Sequence, residues 1–282
     1  MRTILVPAED HDSMPAVLET ARLVARRFDS YVEGFAVHPA ASDFVAVDPL
    51  NSLTLPQIAE SDGEIVDDVR QLFESFMAAN NVPPAPLPSL PQQARLSYAW
   101  LRPGVESDTF VGSYGRLFDL IVLGRPGRAP QNPRMAPLEA ALFESGRPVM
   151  IAPSAPPHEL GRNVLVAWNG STEQARTNAF AMPLLRGVEQ VTVLTVEGGT
   201  TPGPAGEEVA LHLIRNGVPA TAVTVAPGTR TTGEVILHYA KSRRCDLLVK
   251  GAYAQSRLRQ IIFGGATRHI LANAILPVLM AH

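Results

Sequence analysis

The sequence predicts an α/β protein built from two tandem copies of one doubly wound domain. Three observations carry that expectation. Short apolar runs alternate with stretches of helical periodicity along the chain. The runs Ile4–Val6, Ile121–Leu123 and Leu247–Val249 do not alternate apolar with polar residues, which suits strands of a parallel sheet buried on both faces. Three strand-like runs also recur in the same order. Thr3-Ile4-Leu5-Val6-Pro7 is echoed by Asn163-Val164-Leu165-Val166-Ala167 at an offset of 160. Asp119-Leu120-Ile121-Val122-Leu123-Gly124 is echoed by Asp246-Leu247-Leu248-Val249-Lys250-Gly251 at 127, and Pro148-Val149-Met150-Ile151-Ala152 by Pro277-Val278-Leu279-Met280-Ala281 at 129.

The elements follow in order. The first copy, residues 1–153, reads strand Thr3–Pro7, helix Ser13–Phe28, strand Tyr31–His38 and helix Pro56–Asn80. Strand Arg95–Leu101, a helix near Val105–Leu117, strand Leu120–Leu123, helix Pro137–Ser145 and strand Val149–Ala152 complete it. Val17, Ala21, Val24 and Phe28 form the apolar stripe of the first helix, and Ile65, Val69, Leu72 and Phe76 that of the second. The fall in offset from 160 to 127 gives this copy 33 extra residues, most of them between Ala40 and Gln93. Pro83, Pro84, Pro86, Pro88 and Pro91 make part of that stretch a semi-rigid connector. The linker from Pro153 to Gly161 is short and Pro-rich.

The second copy, residues 162–282, reads strand Asn163–Trp168, helix Thr172–Leu185, strand Gln190–Val196, helix Ala205–Asn216 and strand Ala220–Val225. Helix Thr232–Arg243, strand Leu247–Lys250, helix Gly265–Ala274 and strand Val278–Ala281 follow. Alternating strands and helices imply right-handed crossovers and an open sheet, whose ligands sit beyond the carboxyl ends of the strands.

Composition narrows the function. The 282 residues are 46% hydrophobic and 18% charged, a globular balance, and the net charge of −3 argues against nucleic-acid backbone binding. The single cysteine, Cys245, makes neither an internal disulfide nor a cysteine zinc site and is expected to be an inert buried thiol. His38, His212, His238 and His269 share no metal-ligand spacing, so no metal is expected. With no apolar run of membrane-spanning length and no signal-like N-terminus, the expected location is the cytoplasm.

The candidate site lies at the carboxyl ends of the second copy's first and fourth strands. Trp168-Asn169-Gly170-Ser171 closes the first strand, where Ser171 suits a helix N-cap. Gly251-Ala252-Tyr253-Ala254-Gln255-Ser256-Arg257 follows the fourth, and Gly264-Gly265-Ala266-Thr267 opens the last helix. Paired glycines before a helix admit an anion to free N–H groups at the positive end of the dipole. They equally permit a tight turn and close packing. Ser256, Arg257 and Thr267 could add donors, or could be solvated loop and packing residues.

On these residues the whole chain resembles a tandem universal stress protein. The paired openings Ile4-Leu5-Val6-Pro7 and Val164-Leu165-Val166-Ala167, the Asp-Leu-[Ile/Leu]-Val-x-Gly fourth strands and the Pro-Val-[Met/Leu] fifth strands carry the resemblance. It implies two five-stranded parallel sheets in strand order 3-2-1-4-5, no enzymatic activity and an intrachain pseudo-dimer in which Pro148–Ala152 and Pro277–Ala281 pair, with a homodimer as a further expectation. Some members hold ATP through G-x-x-G, nine residues and G-[Ser/Thr], with an Asp after the first strand.

In the second copy Gly251 and Gly264 match that motif, whereas Ala254 replaces a glycine, Gly265 the hydroxyl residue and Asn169 the Asp. In the first copy Gly124 and Gly127 match, Glu9 or Asp10 stands near the Asp, and Pro137-Leu138 replaces the phosphate-binding pair. An adenine nucleotide, ATP or AMP, therefore belongs in the second domain only, on Asn169, Gly251, Ala254, Ser256, Arg257, Gly264, Gly265 and Thr267. The alternative left open is a structural or interaction protein with no nucleotide. An enzyme of the related adenine-nucleotide α-hydrolase-like superfamily is disfavoured, because its Ser-Gly-Gly-x-Asp-Ser and His-x-Gly-His motifs are absent.

Overall fold

The computed structural model describes residues 1–37, 55–85, 95–101, 107–127, 129, 131–252 and 265–282, with the side chains of 55–65 left out. The chain divides into two compact units, Met1–Arg147 and Pro148–His282.

The first unit runs β1 (Thr3–Ala8), α1 (Met14–Phe28), β2 (Tyr31–Ala36), α2 (Leu55–Ala79), β3 (Ser97–Trp100), α3 (Asp108–Gly115), β4 (Leu120–Gly124) and α4 (Met135–Glu144). Its strands stand in the order β3-β2-β1-β4 and all pair in parallel, with Thr3 beside Tyr31, Tyr31 beside Ser97 and Ile4 beside Leu120. Ile4, Leu5, Val6, Leu120, Ile121 and Val122 are fully buried, as unalternating runs require when helices cover both faces. The aromatic side chains show the two coverings. Phe73 of α2 meets Tyr98 and Trp100, with ring centroids 5.9 and 5.3 Å apart. Phe35 of β2 meets Phe110 and Tyr114 of α3 edge-on, at 5.2 and 6.3 Å.

The second unit begins with β5 (Val149–Ala152) and continues β6 (Asn163–Trp168), α5 (Thr172–Leu185), β7 (Gln190–Val196), α6 (Gly206–Arg215), β8 (Ala220–Val225), α7 (Thr232–Ser242), β9 (Leu247–Val249), α8 (Gly265–Asn273) and β10 (Val278–Met280). Five strands run parallel in the order β8-β7-β6-β9-β10, the expected 3-2-1-4-5 arrangement. β5 runs antiparallel to β10, with Met150 opposite Leu279. The strand expected to close the first copy thus groups with the second unit, and the pairing of the two fifth strands is present.

Local chemistry accounts for the boundaries. Ser171 caps α5 by accepting the Gln174 N–H at 3.1 Å, as its position after β6 suggested. Thr231 and Glu234 form a reciprocal capping box on α7. Glu208 in the first turn of α6 accepts the Ala205 N–H at 2.8 Å, which gives the Glu207-Glu208 pair a helix-start role. The extra length of the first copy appears in α2, which has 25 residues where α6 has 10. Of the proline cluster, Pro83 and Pro84 are described, whereas Pro86, Pro88 and Pro91 lie outside the described residues. No helix among the described residues is long and apolar enough to cross a membrane.

Candidate functional site

In the second unit the sheet's carboxyl edge is built around a turn. Gly170 has φ +80°, a left-handed conformation that lets the chain turn from β6 into the capped start of α5. The Asn169 side chain is spent inside this turn, where its Oδ1 accepts the Ser171 N–H at 3.2 Å. The Asn169 carbonyl accepts from the backbone N–H of Thr201 at 2.8 Å and from its hydroxyl at 3.2 Å. The Trp168 indole N–H donates to the Pro204 carbonyl at 2.8 Å. The segment between β7 and α6 is thereby fastened across the end of β6.

Gly251 has a packing reason to be glycine. A Cβ there would lie 2.6 Å from the Gln174 backbone nitrogen and 2.8 Å from its α-carbon. Its N–H, the first donor of the expected phosphate cradle, donates to Gln174 Oε1 at 2.7 Å. Gln174 is fully buried and also donates to Asn178 Oδ1 at 2.8 Å.

Beside Gly251 stands Lys250, a lysine at the end of a fully buried strand and only 6% exposed. Its ammonium donates to the Gly251 carbonyl at 2.8 Å, and among the described residues no carboxylate reaches it within ion-pair distance. Burial lowers its pKa to about 8, a shift that the more distant Glu173 opposes. A cavity of about 50 Å³ lies against Lys250, Asn169, Trp168, Gly199, Thr232 and Ala266. That is room for a few water molecules, far less than a nucleotide fills.

The remaining expected residues divide. Gly265 begins α8, and among the described residues no heavy atom lies within 4 Å of where its Cβ would stand. Thr267 is buried in the first turn of the same helix. Ala254, Ser256, Arg257 and Gly264 lie outside the described residues, as does Tyr253.

The first unit arranges the matching edge differently. Glu9, just beyond β1, and Asp108, at the start of α3, converge on Arg134, the residue before α4. The guanidinium donates to Glu9 Oε1 at 2.6 Å and to both Asp108 oxygens at 2.9 and 2.7 Å. Burial pushes the Glu9 carboxyl up to about 7 against the opposing pull of Arg134. His11 is buried nearby, pairs with the Ser13 hydroxyl at 3.2 Å and is pushed down to about 4 by burial. Pro137 and Leu138 are both buried in the first turn of α4. Gly124 packs against Pro133, and the Gly127 N–H donates to the Pro133 carbonyl at 3.2 Å.

Sequence reasoning missed Arg134, Asp108 and Gln174 as partners, and passed over Lys250 as a charge. Lys250 carried a signal, because a lysine closing a run of buried aliphatic residues must be desolvated. The other three are joined only in three dimensions. Cys245 is half-buried, with its thiol 3.9 Å from Asn163 Oδ1 and its pKa raised by burial to about 11, so it is a poor nucleophile.

Residues 161–282, which hold the parallel 3-2-1-4-5 strands, match the family model described as the Universal stress protein family. The match lies within the second unit and covers less than half of the chain. Solved structures extend the likeness over both units. A universal stress protein from Archaeoglobus fulgidus DSM 4304 is 15% identical with a TM-score of 0.69, covering 99% of this chain and 97% of its own. A functionally unknown protein from Pseudomonas aeruginosa PAO1 is also 15% identical with a TM-score of 0.54, covering 100% of this chain and 92% of its own. At such identity these likenesses establish the fold alone. No curated protein matches this sequence.

Proposed function

We propose that this chain is a universal stress protein, non-catalytic and responsive to an adenine nucleotide held in its second unit, the first unit serving as a structural partner. The observation that carries this reading is the unequal treatment of two cations, the half-buried Arg134 and the buried Lys250. Arg134 is neutralised by Glu9 and Asp108. Lys250 is buried beside the second crevice with a backbone carbonyl as its described partner. A buried ammonium without a counter-charge favours an incoming anion, and the open start of α8 at Gly265 adds N–H groups at a positive dipole end. Mass spectrometry of denatured, freshly purified protein tests this. ATP or AMP released in near-stoichiometric amount supports it; no nucleotide, with no binding on titration, refutes it.

A second reading, an interaction protein without nucleotide, is favoured by the 50 Å³ cavity and by the use of Asn169 and the Gly251 N–H in internal bonds. On that reading Lys250 is a structural cation held by the Gly251 carbonyl.

A further inference from the structure

The two units protect their outermost strands differently. In the first unit the exposed edge is β3. The Ser97 N–H donates to Ser30 and the Leu101 N–H to Gly34, so the groups of Tyr98 face away from β2. Those groups are covered by the chain itself. The Tyr98 N–H donates to the Pro83 carbonyl at 2.9 Å, and the Ala85 N–H donates to the Tyr98 carbonyl at 2.6 Å. Pro83 and Pro84 have no N–H, so the added segment does not invite another strand.

In the second unit the corresponding edge is β8, which ends the strand order and pairs only with β7 among the described residues. The Pro219 and Val225 carbonyls accept from Val191 and Glu197 on the β7 side. Since a strand residue's N–H and C=O point the same way, Ala220, Ala222 and Thr224 direct theirs outward. Natural edges are guarded by charge, proline, bulges or cover. The strand Ala220-Thr221-Ala222-Val223-Thr224-Val225 carries no charge and no proline, and all six residues are half-exposed or exposed. The helix packed over this edge, α6, leaves Leu211 and Ile214 each 51% exposed, one turn apart.

We infer that the β8 edge is a self-association surface that pairs antiparallel with β8 of a second copy of this chain. The strand is self-complementary in one register. A two-fold axis through Ala222 sets Ala222 opposite its own copy and Ala220 opposite Thr224 of the partner subunit. Every outward N–H and C=O on both strands then finds a partner. On one face this register apposes Ala220 with Thr224, and on the other Thr221 with Val223, so no like charges meet and no bulky groups collide. A two-fold pairing satisfies both edges at once, which favours a second copy over a single foreign strand. The inference is independent of nucleotide binding.

Sedimentation velocity of the full chain across the micromolar range tests it. The wild type should sediment as two chains. Ala222→Pro removes an outward donor without touching the bonds to β7, and Ala222→Lys and Ala222→Glu place like charges across the axis. Each should weaken association at least about tenfold with the circular dichroism of the fold retained, and mixing the Lys and Glu variants should restore the dimer. Thr224→Lys, at an exposed position, gives the same reading where a change at Ala222 costs the fold. A wild type that remains one chain throughout, variants that assemble like the wild type, or a mixture that fails to reassemble overturns the inference.

Discussion

Arg134 and Glu9 are joined at 2.6 Å although 125 residues separate them in sequence. The pair closes the carboxyl edge of the first unit's sheet, and Asp108 completes it. The charge of the guanidinium is thus met by two carboxylates of its own unit.

The Glu9 carboxyl has a folded pKa near 7, above the ordinary carboxylate value. Between pH 4.5 and 7 the folded chain therefore binds more protons at this site than the unfolded chain, and the site's contribution to stability falls as pH rises. The full shift corresponds to about 3 kcal/mol as an upper bound. Glu9→Gln should flatten the loss of stability over that window in urea melts at stepped pH. An unchanged slope would show that Glu9 ionises normally.

His11 acts with the opposite sign. Its folded pKa near 4 lies below the ordinary 6.5, so its contribution is complete above pH 6.5 and is lost as pH falls toward 4. His11→Asn should make the chain less sensitive to acid in that range, in the same melts. A titration of the His11 ring near 6.5 by NMR would contradict the burial.

Gly251→Ala would place a methyl group 2.6 Å from the α5 backbone. Because the obstacle is backbone, relief requires helix α5 to shift. A loss of about 1–3 kcal/mol in thermal or chemical denaturation is expected. A neutral substitution would mean that α5 moves freely on the sheet.

Much of the fold was legible in the sequence. The unalternating runs at Ile4, Leu120 and Leu247 became buried parallel strands because helices cover both faces, and runs recurring in one order anticipated parallel strands in both units. The Ser171 cap was legible because capping is local. Gln174 was not, because its bond to Gly251 spans 77 residues and depends on how α5 lies on the sheet. Asn169 illustrates a further limit. Its identity fits both a turn and a ligand contact, and only the geometry shows its side chain folded onto the Ser171 N–H. Pro137 brings no N–H to the first turn of α4, but nothing local announced that Arg134 would reach Glu9 and Asp108.

On the proposed function the two crevices are unequal, and Lys250 draws an anion into the second. Calorimetric titration with ATP of the wild type, Lys250→Met and Arg134→Met tests it most directly. One site per chain is expected in the wild type, with affinity weakened at least about tenfold in Lys250→Met and stoichiometry unchanged in Arg134→Met. Two sites per chain, or binding indifferent to Lys250→Met, would contradict it.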